Sequence, residues 1–219
     1  TQSFGARVVQ VGDTLDSSAQ AAREIAKKES LTFIHPFDDP LIIEGQGTIG
    51  LEMLTQNPDL DTIVVPIGGG GLISGIATAA KALKPSIEII GVESALYPSA
   101  YAAIHQQKIT CSGATIADGI AVKYPGTITL PIISELVSDI LVIEEAAIES
   151  AIVSLAERQK IVAEGAGAIG LAAVAANHDR FKGRTVGIVI GGGNIDIRLL
   201  SSVLVRGLVL DGRLVRLRI

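Results

Sequence analysis

The sequence predicts an α/β protein with an open, mostly parallel sheet and helices on both faces, and three observations carry that prediction. Short runs of β-branched and aliphatic residues recur with almost no polar alternation, at 62–67, 87–93 and 186–190, as expected of strands covered on both faces. Between them lie stretches with apolar residues at helical spacing, such as Leu72, Ile73, Ile76, Ala77, Ala80 and Leu83. Strand passes into helix through glycine: Gly68, Gly69, Gly70 and Gly71 at the central junction, and Gly191, Gly192 and Gly193 before Asn194 near the end.

Composition agrees with a soluble α/β core. The 219 residues suffice for one sizeable domain and part of another, and 48% are hydrophobic, too many for a disordered chain. A net charge of −5, with no basic stripe interleaved with aromatics, argues against nucleic acid as a partner. The single cysteine, Cys111, excludes an internal disulfide, and the start shows neither a basic stretch nor an apolar signal segment, so a cytoplasmic location is expected. The uncharged run 62–80 is long enough to suggest a membrane span. Pro66 and the four glycines in its middle would leave backbone groups unpaired in lipid, which rejects it.

In chain order, residues 1–6 read as a helix end closed by Gly5. A strand at 7–11, a helix capped by Asp13 or Thr14 and carrying Ala19, Ala22, Ile25 and Ala26, and a strand at 31–34 then form a β-α-β unit. His35, beside Pro36, reads as a hydrogen-bonded structural residue, and no catalytic residue is assigned. A helix over 41–56 is expected despite Gly45, Gly47 and Gly50, for which close backbone packing is the plain reason. The strand at 87–93 ends on Glu93, whose plain reading is a solvated carboxylate. Residues 110–125 read as a loop over the core, with Asp118 as a turn residue. A helix at 128–136, a strand at 140–143 and an amphipathic helix at 144–159 with Ile148, Ile152 and Leu155 inward follow. Glu164 opens a further helix, where a carboxylate suits a cap. Residues 213–219 alternate like a strand.

The glycine loop is the functional clue. Glycines turn successive N–H groups inward where a helix start adds its own unpaired donors, an arrangement suited to a phosphate. The dinucleotide fingerprint is absent, since Gly68 and Gly70 are followed by Ile73, and Gly69 and Gly71 by Ser74; no Gly-Lys-Ser/Thr ending is present either. One or two glycines would indicate only a close turn. Four in a row favour an anion cradle.

The run Val65-Pro66-Ile67-Gly68-Gly69-Gly70-Gly71-Leu72-Ile73-Ser74-Gly75-Ile76 resembles the tetraglycine loop of fold type II pyridoxal-phosphate enzymes, in the threonine dehydratase and serine racemase group. His35-Pro36-Phe37-Asp38-Asp39-Pro40, Ala117-Asp118-Gly119-Ile120, Glu164-Gly165-Ala166-Gly167 and Gly192-Gly193-Asn194 agree with it in order along nearly the whole chain. The resemblance implies a tryptophan synthase β-like fold with pyridoxal 5'-phosphate as cofactor. It implies Gly68, Gly69, Gly70, Gly71 and Leu72 around the phosphate, and Glu164 and Gly191 near the ring. It further implies dehydration and deamination of threonine or serine to a 2-oxo acid and ammonia, an amino-acid substrate and a homo-oligomer. The implied domains are a small-domain remnant at 1–38, a large cofactor-binding domain at 39–206, and the start of a C-terminal regulatory domain at 207–219.

The sequence departs from the family at four places. Gly191 stands where the family commonly has the serine that meets the pyridine nitrogen. In the serine racemase branch the residue matching Glu93 binds a divalent metal with a carbonyl and an aspartate; the latter is Ser99 here, so no metal is expected. The Ser-x-Lys-x-Arg segment carrying the Schiff-base lysine, and the Ser-Ser-Gly-Asn-His loop, are missing. Lys27, Lys28, Lys81, Lys84, Lys108, Lys123, Lys160 and Lys182 read as solvated charges, so the chain is expected to be a fragment, catalytically silent alone. The rival readings are a non-catalytic Rossmann-like module that binds a nucleotide or anion, and a serine racemase.

Overall fold

The computed structural model describes every residue except 1, 13, 14, 216, 218 and 219, and describes 15 and 16 by backbone alone. The chain divides into two units, Thr1–Pro36 and Phe37–Ile219.

In the first unit a short 3₁₀ turn, Gln2–Phe4, is closed by Gly5 at φ +82°. The helix α1 (Leu15–Glu29) turns Ala21, Ala22, Ile25 and Ala26 toward extended segments 7–11 and 31–34. The strands expected at those segments do not form. An extended stretch becomes a strand only through a ladder of hydrogen bonds, and among the described residues neither has one. The segments are held instead by Ser18 Oγ donating to the Val11 carbonyl (2.8 Å), an Arg7–Glu29 ion pair (2.8 Å), and Arg23 above the Phe33 ring. His35 lies edge-on to Phe33. The expected cap at Asp13 or Thr14 lies outside the described residues.

The second unit opens with α2 (Pro40–Gln56). Asp39 accepts hydrogen bonds from the Leu41 and Ile42 amides (2.8 and 3.4 Å), and Pro40 pre-sets the first turn. Then come β1 (Thr62–Pro66), α3 (Gly71–Leu83), β2 (Glu88–Ser94), α4 (Ser99–Ile104), α5 (Thr129–Leu136), β3 (Asp139–Ile143) and α6 (Glu145–Ser154). After α6 a wider turn, Leu155–Gln159, stops at Lys160 with φ +59°. The unit continues with α7 (Gly165–Ala176), α8 (His178–Phe181), β4 (Val186–Ile188) and α9 (Ile197–Leu210). Helix α9 runs through the 206/207 boundary expected from the sequence. The strand expected at 213–219 falls partly outside the described residues, and 213–215 and 217 form no strand.

The four strands pair in the order β3-β2-β1-β4, all parallel, with Val64 opposite both Ile90 and Ile188. Side chains alternate across the sheet. Ile63, Val65 and Ile89 meet α3 and the last turn of α2 on one face, while Val64, Ile90 and Val92 meet α6, α7 and Val203 of α9 on the other. The expected helices on both faces are present. At the start of the strands Arg180 bridges Asp139 and Glu88, and Arg184 also reaches Glu88.

The glycines of α2 separate by role. A Cβ on Gly47 would lie 3.1 Å from the Gly75 carbonyl, and one on Gly50 3.0 Å from that of Ile76, so both serve close packing on α3. Gly45 is exposed, with nothing within 4 Å of the same position.

Candidate functional site

The chain leaves β1 for α3 and β2 on one side and later returns to place β4 on the other. Strand order therefore reverses between β1 and β4, and in open α/β sheets the crevice beyond such a reversal binds ligands. Loops 68–71 and 191–194 leave the carboxyl ends of these two neighbouring parallel strands.

The first loop is held from behind. Gly70 adopts φ +96°, the left-handed conformation that only glycine takes without strain, and starts α3. The Gly69 carbonyl accepts from Thr129 Oγ1 at 2.6 Å and from the Gly126 amide at 3.1 Å. A Cβ on Gly69 would lie 2.3 Å from the Phe37 ring, one on Gly70 2.7 Å from Thr129 Oγ1, and one on Gly71 2.8 Å from the Phe37 carbonyl. The loop is thus wedged between 37–38 and 125–129, and the amides of 68–72 have no acceptor among the described residues. Gly68 and Leu72 remain partly open, whereas Gly69, Gly70 and Gly71 are buried. Unpaired N–H groups at the start of a 13-residue helix suit an anion, and the residues fit a phosphate.

The second loop is organised by Glu164. Its carboxylate does not cap α7, although it occupies the cap position as expected. It turns instead to the loop, where Oε2 accepts from the Asn194 amide at 3.0 Å and the Glu164 amide donates to the Gly192 carbonyl at 3.1 Å. The loop gains a fixed shape from this, and the helix dipole is served by position alone. Gly191 is exposed, and a Cβ built on it meets nothing within 4 Å.

Glu93 departs from expectation. It is not solvated but fully buried, with Oε1 accepting from the Ala100 amide (2.8 Å) and Ser99 Oγ (3.4 Å) and Oε2 from the Tyr101 amide (2.9 Å). The turn at 97–101 brings the first amides of α4 back over the end of β2, a return that spacing alone does not reveal. Burial raises its pKa to about 7, against hydrogen bonds from Tyr101, Ala100 and Ser99 that lower it. Ser99, in place of an anionic residue, donates to this carboxylate.

Two carboxylates that organise the site were not singled out from sequence. Glu145 accepts from Ser94 Oγ, Thr115 Oγ1 and the Ile116 amide at 2.7–2.8 Å, pinning the 110–125 loop to the end of β2. Asp38 accepts from Thr127 Oγ1 and the amides of Thr127, Ile128 and Thr129 at 2.9–3.2 Å. It caps α5 from about 90 residues upstream in place of Ile128, which has no capping side chain. Partial burial would raise its pKa, but the donors from Ile128, Thr127 and Thr129 outweigh that and lower it. An Asp before Pro-rich turn chemistry was the available signal, and it pointed equally to a local cap.

The lysines stay at the surface. Lys27, Lys28, Lys108, Lys123, Lys160 and Lys182 are exposed, while Lys81 and Lys84 lie at the far end of α3, roughly 15–20 Å along the helix from the glycine loop. Lys84 donates to the carbonyls of Pro58 and Leu60. Among the described residues no group of three or more His, Cys, Asp or Glu is placed to hold a metal, and no helix is long and apolar enough to cross a membrane.

A parallel sheet with open glycine-loop amides beside its strand reversal defines an α/β protein with a cradle suited to an anionic ligand. A model of the family described as "Pyridoxal-phosphate dependent enzyme" matches residues 1–192, and the chain belongs to that family. It is 48% identical to an L-threonine ammonia-lyase of Geobacter sulfurreducens, over all of this chain and 55% of that protein. It is 44% identical to an L-threonine ammonia-lyase of Thermotoga maritima, over 97% of this chain and 53% of that protein. A solved threonine deaminase from tomato, Solanum lycopersicum, in its processed form, superposes with a TM-score of 0.85 at 34% identity, covering 92% of this chain and 60% of that one. Maize serine racemase superposes at 0.84 with 34% identity, covering 96% and 66%. The chain thus spans about half the length of the two curated ammonia-lyases.

Proposed function

We propose that this chain forms the cofactor-holding part of a pyridoxal-phosphate-dependent threonine ammonia-lyase that converts threonine to 2-oxobutanoate and ammonia. The observation that carries the reading is the set of unpaired amides at 68–72, set at the start of α3 beside the strand reversal. Likeness to ammonia-lyases over 97–100% of the chain supports it. Pyridoxal phosphate supplies an electron sink for cleavage at the amino-acid α-carbon. The chain's residues bind and orient. Gly68, Gly69, Gly70, Gly71 and Leu72 present N–H donors to the phosphate, and α3 adds the partial positive charge of its start. Glu164 fixes the loop carrying Gly191 at the neighbouring strand end, and that loop would flank the bound cofactor. The reading extends to a cytoplasmic, homo-oligomeric enzyme, in line with the lone Cys111 and the apolar flank of α9.

The test uses the full gene product. A yellow protein absorbing above the protein band and forming 2-oxobutanoate from threonine supports the reading. Serine racemisation without oxo-acid release would shift it toward the racemases, and a colourless protein that binds a nucleotide would overturn it.

A further inference from the structure

We propose that Thr129, held in place by Asp38, is the positioning residue that aims the glycine-loop amides at the anion; this rests on the phosphate reading of that loop. The peptide bonds of the described chain are trans, so the carbonyl of residue 69 and the N–H of residue 70 point in opposite directions from one plane. Whatever fixes the Gly69 carbonyl therefore fixes the direction of the Gly70 N–H. Two donors fix it, Thr129 Oγ1 at 2.6 Å and the Gly126 amide at 3.1 Å, both on the side of that peptide opposite the Gly70 N–H.

Thr129 is fully buried, and its own carbonyl accepts from Ser74 Oγ at 3.3 Å, which ties the first turn of α5 to the first turns of α3. Asp38 gathers the amides of Thr127, Ile128 and Thr129 and thereby sets where that hydroxyl stands. Space allows no slack: a Cβ on Gly126 would lie 2.1 Å from Asp38 Oδ1 and 2.6 Å from Thr129 Oγ1. A glycine loop free to rotate its peptides would spend much of its time with N–H groups turned from the ligand. The Asp38–Thr129 brace removes that freedom before binding, and preorganisation of this kind appears as affinity.

The experiment compares the full gene product with its Thr129→Val, Thr129→Ser and Asp38→Asn variants, titrated with pyridoxal 5'-phosphate, with pyridoxal and with inorganic phosphate. Thr129→Val is expected to weaken both phosphate-bearing probes roughly ten-fold, to leave pyridoxal unchanged, and to be rescued by Thr129→Ser. Asp38→Asn should weaken the same two probes by a smaller factor, and it keeps the test alive if Thr129→Val fails to fold. Equal losses for pyridoxal and its phosphate, or undiminished phosphate binding in both Thr129→Val and Asp38→Asn, would overturn the brace. A parent protein that binds inorganic phosphate but not the cofactor would overturn the proposed function while leaving the brace measurable with phosphate; one that binds neither would overturn both.

Discussion

Glu93 is a carboxylate with no solvent contact and three donors around it, so its protonation bears on folding. Burial raises its pKa from 4.5 to about 7 despite those donors, so between these values the folded chain binds the proton more tightly than the unfolded chain does. Stability from this group is therefore fully present below pH 4.5 and is lost as pH rises to about 7, by up to about 3 kcal/mol, with no further change above. Urea unfolding of the protein and of Glu93→Gln between about pH 5 and about pH 8 checks it, because the variant lacks the titration. The parent should lose stability relative to the variant across that range; parallel curves would show that the carboxylate stays ionised in the fold. Nothing in the sequence marked this residue as buried, since a glutamate ending a strand is usually solvated and only the return of the 97–101 turn covers it.

Between elements, α2 and α3 approach closely where glycines face glycines. A Cβ on Gly75 would lie 2.2 Å from the Ile43 carbonyl and 2.6 Å from the Gly47 amide. Both contacts are backbone, which cannot rotate aside as a side chain can. Gly75→Ala is therefore expected to destabilise by at least about 2 kcal/mol, despite the higher helix propensity of alanine. Denaturant unfolding reads this, with Gly45→Ala as the control, since Gly45 has open space and should gain stability. An equal response of the two sites would refute the packing account. The strands at 62–67 and 87–93, the glycine loop and most helices were legible because each is written in contiguous residues with a period of its own. The ties between elements were not: Asp38 to α5, Glu145 to the 110–125 loop and Thr129 to Gly69 join residues 29–91 positions apart, and no local pattern encodes such a pairing. The extended runs at 7–11 and 31–34 failed as strands for the same reason, since strand pairing is a property of a neighbour and not of the run.

For the molecule as a whole, the two flanks of α9 set the expectation for assembly. Its inner flank is satisfied: Val203 is fully buried, Gly207 lies against Val153, and Arg206 makes a two-pronged pair with Glu149 at 2.8 Å. Its other flank carries Ile197, Val205 and Val209, spaced at multiples of four residues and 74%, 46% and 50% exposed. Single exposed aliphatics are ordinary, but a row of them on one helix is a surface that favours a partner. A second copy of the chain is the simplest partner, because a two-fold pairing lets the same flank meet itself and closed symmetric pairs are the commonest assemblies. The full gene product is therefore expected to sediment at a mass of at least two chains, and Val205→Lys with Val209→Lys to shift it toward one chain at the same concentration. Charges placed on that flank leave the buried side of α9 untouched, so loss of assembly would come with a retained fold by circular dichroism. A parent mass that stays at one chain up to high concentration, or an assembly indifferent to both lysines, would move the interface away from α9.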